Sequence, residues 1–180
     1  MKDLTKIKGV FTFHTFEEDK YKQLEPLLDK EGNYHLIDNF ARVSMSYENQ
    51  ILRDGLKIFT ASSKGFYECV SRLVAGNQTD PLASTYLSNQ ALQSPLKDLN
   101  FPKINIVNIV ELTNGFQASF VFKRPRLSQG GTEITEIGIE VTNGIDFALL
   151  SRVVASPNQT LHQFSTTEDT IITYDLKFLI

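Results

Sequence analysis

Three β-rich runs close this chain, and they constrain its fold more than any other feature. Ile134-Thr135-Glu136-Ile137-Gly138-Ile139 leads across Asn143-Gly144 into Phe147-Ala148-Leu149-Leu150-Ser151-Arg152-Val153-Val154. A polar interval follows, and the sequence ends on Thr170-Ile171-Ile172-Thr173-Tyr174-Asp175-Leu176-Lys177-Phe178-Leu179-Ile180. Runs of this composition, joined by Asn-Gly or Ser/Thr-rich connections, predict consecutive antiparallel strands. The ending Phe178-Leu179-Ile180 is expected to be held in a sheet, because a frayed end this apolar would expose sticky surface.

Upstream, Lys8-Gly9-Val10-Phe11-Thr12-Phe13-His14-Thr15-Phe16 alternates apolar and polar residues, the period of a half-buried strand. Glu17-Glu18-Asp19 opens a helical segment with acids in its first turn, and Tyr21, Leu24, Leu27 and Leu28 repeat at helical spacing. Pro26 must kink that helix or confine it to two short turns, and Lys30 to Asn33 stops it. His35 to Ser44 reads as a short strand. Ile51 to Phe59 fits either helical turns broken at Gly55 or a strand after Asp54-Gly55.

Gly65 to Gly76 alternates as a strand between glycines. Asn77 to Asn100 is polar, with spaced apolar anchors, and is expected to be a structured loop lying over the sheet. Lys103 to Leu112 and Phe116 to Phe122 flank Asn114-Gly115, a hairpin signal because both residues tolerate positive φ. The expected fold is mainly β: an antiparallel sandwich of about seven strands, with one or two short helices near the N-terminus. Residues 1–46 would pack on or beside a sandwich formed by residues 47–180.

Composition narrows the function classes. With 41% apolar residues in 180, the chain can bury one good core. A formal charge of -3 and a pI near 5.6 give no general attraction for phosphate backbones or anionic membranes, so neither nucleic acid nor membrane is an expected partner. Cys69 is the only cysteine, which leaves no disulfide framework and no thiolate cluster. The opening Met1 to Lys6 lacks the apolar core of a signal peptide, so the chain is expected to be made in a cytoplasm and to stay soluble.

Candidate chemistry is sparse. His14, His35 and His162 are far apart in sequence and lack partners at metal-ligand spacing, so no metal and no cofactor are expected. Cys69 has apolar neighbours and reads as a buried structural thiol. Glu133, Glu136 and Glu140 invite comparison with the paired carboxylates of glycoside hydrolysis. Strand alternation argues against it, since Glu136 and Glu140 share one face with Ile134 and Gly138 while Glu133 lies on the other. No catalytic residue is expected. If the strands pair across Asn143-Gly144, Glu136 and Arg152 approach one another, and a buried fork between them would fix register more than it would add stability.

The run Ile134 to Ile139, the segment Leu149-Leu150-Ser151-Arg152 and the closing strand Ile171 to Phe178 together resemble a group of small bacteriophage virion proteins. The signature positions are Thr135, Glu136, Gly138 and Arg152. Glu48 to Leu56 and Val74 through Leu87 resemble that group more loosely, whereas the N-terminal segment lies outside the resemblance. It implies a non-enzymatic structural subunit in the tail, neck or fibre-attachment region of a virion, a homo-oligomer (trimer or ring) whose partners are other virion proteins. Candidate subunit contacts are Phe11, Phe13 and Phe16, taken as exposed aromatics, with the loop residues Leu82, Tyr86 and Leu87. Filling of the monomer core is the alternative for all six. The competing functions are a capsid-decorating head-fibre or cement protein and a carbohydrate- or ligand-binding sandwich, the latter weakened by the absence of tryptophan.

Overall fold

A computed structural model describes residues 6–30, 33–77, 92, 96, 99, 101–104, 108–124, 126 and 131–180, with only the backbone of Gln50 and Phe66. In chain order the strands are β1 (Lys6–Glu17), β2 (Val43–Ile51), β3 (Val70–Gly76), β4 (Asn108–Leu112), β5 (Gly115–Arg124), β6 (Glu133–Ile134), β7 (Glu136–Thr142), β8 (Phe147–Val154), β9 (His162–Gln163) and β10 (Glu168–Leu179). The helices are α1 (Glu18–Leu24), continued by a 3-10 turn (Glu25–Leu27), then α2 (Leu36–Phe40), α3 (Arg53–Ala61) and α4 (Phe66–Cys69). At 52% strand and 19% helix the chain is mainly β, and its sheets are antiparallel. Ten described strands, two of them of just two residues, are roughly consistent with the expected sandwich of about seven.

The chain forms two compact units, divided differently from the expected boundary at residue 46. The first unit combines Met1–Glu48, Pro102–Gly131 and Phe164–Ile180; the second combines Asn49–Phe101 and Thr132–Gln163. The N-terminal segment is therefore part of the first unit's sheet. β1 pairs with β10 along its whole length, from Lys6 opposite Leu179 to Glu17 opposite Glu168. Distant parts of the sequence are joined because each apolar strand needs a partner for its ladder bonds.

In the first unit the strands run β2, β1, β10, β5, β4. The expected half-buried β1 is covered on both faces. Phe11 stands opposite Tyr174, which stands opposite Phe120, an aromatic row with ring centroids 4.8 and 6.3 Å apart. On the other face Phe16, Tyr21, Leu24, Leu28, Ile37, Ile104, Val121 and Ile171 form a core that holds α1 and α2 on the sheet. Pro26 ends α1 by tightening the next turn into the 3-10 form, where its missing N–H costs nothing.

The second unit orders its strands β3, β7, β8 and the end of β2, where Gln50 and Ile51 pair with Arg152 and Ser151. Asn143 shapes the β7–β8 turn: its Oδ1 accepts the N–H groups of Ile145 and Asp146 at 2.9 and 2.8 Å, and Gly144 takes φ +100°. Gly55 does not break α3. A Cβ there would lie 2.1 Å from the Leu149 carbonyl oxygen, so glycine lets α3 sit directly on the backbone of β8. Two strand expectations give way to helix: residues 36–40 form α2, and residues 66–69 form α4 ahead of β3. Short apolar runs fit either period, and in α2 the placement of Ile37 in the core decides for helix.

Candidate functional site

The signature positions meet on β7 and β8. Gly138 stands opposite Arg152 and Glu136 opposite Val154, so Glu136 and Arg152 are diagonal neighbours. Arg152 Nη2 donates to Glu136 Oε2, and the two side chains are 1% and 0% exposed. Leu149 and Leu92 occupy the space that a side chain at Gly138 would need. Thr135 lies at the bend between β6 and β7, where its N–H donates to Gly76 and its carbonyl accepts from Ala155. A carboxylate and guanidinium this deep lose their hydration, and their attraction offsets that loss only while both are present.

The three glutamates never form an acid pair. Glu133 is exposed on β6 before the bend, and a register shift between Ile139 and Glu140 re-aims the end of β7. Glu140 instead receives Nε and Nη2 of Arg72 at 2.9 and 3.1 Å, a two-pronged pair across β3 and β7. Cys69 is buried, and its thiol points to the Thr142 carbonyl at 3.6 Å. Among the described residues, no group of three or more His, Cys, Asp or Glu side chains could hold a metal ion.

A second polar cluster, in the first unit, is absent from the sequence reading. Opposite residues in antiparallel strands share a face, which puts Thr12 with Thr173 and Asp175 with Ser119 on one side of the sheet. His14 joins them: Nε2 is 3.1 Å from Thr173 Oγ1, while Nδ1 is 2.9 Å from Ser44 Oγ and 3.3 Å from Asp38 Oδ1. Tyr34 donates its phenol to Asp175 Oδ1 at 2.8 Å, and Thr12 and Ser46 hydroxyls meet at 2.9 Å. Burial holds the His14 pKa below its ordinary value against the opposing pull of Asp38 and Asp175, so the ring is neutral at neutral pH. Burial and the Asp175 charge push the Tyr34 phenol up.

A hydroxyl, an imidazole and a carboxylate in sequence are the parts of a nucleophilic relay. Here only the inner half is enclosed: His14 and Thr173 are buried, whereas the Asp38 carboxylate is 73% exposed and Ser44 is exposed, so the cluster runs from the core to the surface. The signal was nonetheless present, as polar residues at alternate positions within two otherwise apolar strands.

Phe11, Phe13 and Phe16 are not exposed contacts: all three are fully buried in the single chain, so the core-filling alternative applies to them. Leu82, Tyr86 and Leu87 lie outside the described residues. The exposed large apolar residues are others, notably Ile109 (58%) and Val110 (42%) on β4, and Ile145 (86%) and Phe147 (54%) at the β7–β8 turn. Sequence periodicity missed them because exposure depends on which strand ends a sheet and which turn protrudes. A small cleft in the first unit, floored by Leu28, Ile37, Ile104 and Val121, has Lys30, Tyr34 and Asn108 around it. Comparisons of the chain with protein families, with curated proteins and with solved structures found no match.

Proposed function

We propose that this chain is a non-enzymatic structural subunit of a bacteriophage particle, assembling as a symmetric oligomer in the tail, neck or fibre-attachment region. The observation that carries the subunit reading is its exposed apolar surface. Ile109 and Val110 stand on a strand that ends its sheet order, and Ile145 and Phe147 crown a hairpin turn. Apolar groups set on sheet edges and turn tips serve contacts with other chains better than they serve a monomer in water. The full burial of the Glu136–Arg152 pair supports a structural part for it. The virion assignment rests on the resemblance of the segments around Thr135, Glu136, Gly138 and Arg152.

Mass spectrometry of purified phage particles tests the reading. The expected result is this polypeptide at a fixed copy number, and that number separates a neck or tail ring from a capsid decoration. Its absence from particles would overturn the assignment. A ligand-binding module is the competing reading; the cleft beside Tyr34 has the apolar floor and polar rim of such sites but only water-sized room. A stable monomer that binds members of a glycan array would move the function there.

A further inference from the structure

The hydrogen-bonding phase of β5 fixes which backbone groups of β4 are free. Val121 accepts from the N–H of Ile104 at 2.9 Å, and Lys123 donates to the Pro102 carbonyl at 2.9 Å. The odd-numbered residues of β5 therefore face the edge of the sheet. On the opposite side, the Asn114 carbonyl accepts from the N–H of Ile180. β4 pairs Asn108, Val110 and Leu112 with Ser119, Gln117 and Gly115, so these three bond inward to β5. The N–H and C=O groups of Ile109 and Glu111 point outward. No described strand lies beyond β4 in the sheet order.

We propose that this edge is a self-association surface, on which a second copy of the chain adds its own β4 antiparallel, about a two-fold axis through Val110. The proposal rests on the subunit reading and deepens it. The strand is compatible with itself in one register. With the axis at Val110, all five residues of each β4 pair, Asn108 with Leu112 and Ile109 with Glu111, and Val110 meets its own mate. An axis at Glu111 sets two carboxylates opposite one another, which is destabilising. An axis at Ile109 leaves Glu111 and Leu112 outside the β4–β4 overlap.

In the favoured register each outward N–H and C=O finds a partner. Val110 and its mate then form a non-hydrogen-bonded pair, with Cα atoms about 4.5 Å apart. On one face the two Val110 side chains cover each other, and on the other each Ile109 covers the stem of a Glu111. So short a strip is smaller than a standard interface, so the contact is weak and concentration-dependent on its own.

Cysteine cross-linking and sedimentation of the full chain test this. Val110→Cys should form a disulfide-linked dimer under mild oxidation, since the expected spacing suits the bond. Lys57→Cys, exposed on α3, serves as the collision control. Ile109→Pro removes an outward N–H while leaving the β4–β5 bonds in place, and Ile109→Lys is a second edge-blocking variant should the proline not fold. Either variant that keeps the wild-type melting temperature should weaken association by about tenfold or more. If the wild type is oligomeric but Val110→Cys links no better than the control, edge pairing falls and the oligomeric reading stands. If the wild type stays monomeric and Val110→Cys does not link, self-pairing and the homo-oligomer fall together. Membership of the particle is read separately by mass spectrometry.

Discussion

Arg152 reaches diagonally across the β7–β8 pair to Glu136, and both ends of the contact are out of water. The relationship ties register to charge: a slip of one residue would carry one partner to the opposite face and leave the other buried without that counter-charge. Its role follows from that asymmetry. Removing both charges is tolerable, whereas removing one is not.

Arg152→Met alone should therefore destabilise the chain by about 3–5 kcal/mol, because it strands the Glu136 carboxylate. The double variant Arg152→Met with Glu136→Leu should recover most of that loss. Urea unfolding of the two singles and the double would measure the coupling. Simple addition of the single effects would show that the pair does not act as a unit.

Gly55 offers a test in which two effects have opposite signs. In a free helix, Gly55→Ala would gain about 1 kcal/mol from propensity. Against β8 the added carbon meets the Leu149 oxygen at 2.1 Å, and backbone atoms cannot rotate away. The clash should dominate, with a net loss of about 1–3 kcal/mol or more on thermal melting.

Phe16 belongs to the core cluster of α1 and α2, so Phe16→Ala should cost about 3–5 kcal/mol. Residual folded protein should sediment as the wild type does. A change in oligomeric state at unchanged stability would restore Phe16 to the subunit interface.

Stability should fall on mild acidification. His14 and His162 are both held below the ordinary value of 6.5 by burial, His162 at about 4. The unfolded chain then binds more protons than the folded one as pH falls through 6.5, and for His162 the loss continues to about 4. His162→Gln should flatten that part of a melting-temperature profile. Glu18 behaves differently. Hydrogen bonds from Lys22 and Arg126 hold its carboxyl down at about 2, so its contribution persists until pH falls below 4.5.

Much of the fold was legible because strand signals are local. The alternation through Phe11 to Phe16, the hairpin signals Asn114-Gly115 (one residue past the turn at Thr113-Asn114) and Asn143-Gly144, and the β-branched run from Thr170 each encode a strand or its end without reference to the rest of the chain. The approach of Glu136 and Arg152 was also readable, since one short hairpin fixes which residues share a face. By contrast, the residues of α2 and α4 fit strand as well as helix, because short apolar runs carry no decisive period.

The sequence by itself determined a mainly β chain, its hairpin turns and a charged pair across one of them. Tertiary structure alone decided that β1 pairs with β10, and hence that His14 sits beside Thr173 some 159 positions away. It also decided which apolar residues stay outside. Phe11, Phe13 and Phe16 are enclosed by neighbouring elements, while Ile109 and Val110 remain on an edge. A side chain's face is set by its own backbone, but what covers that face is set by strand order, and strand order comes from long-range pairing that no local window contains.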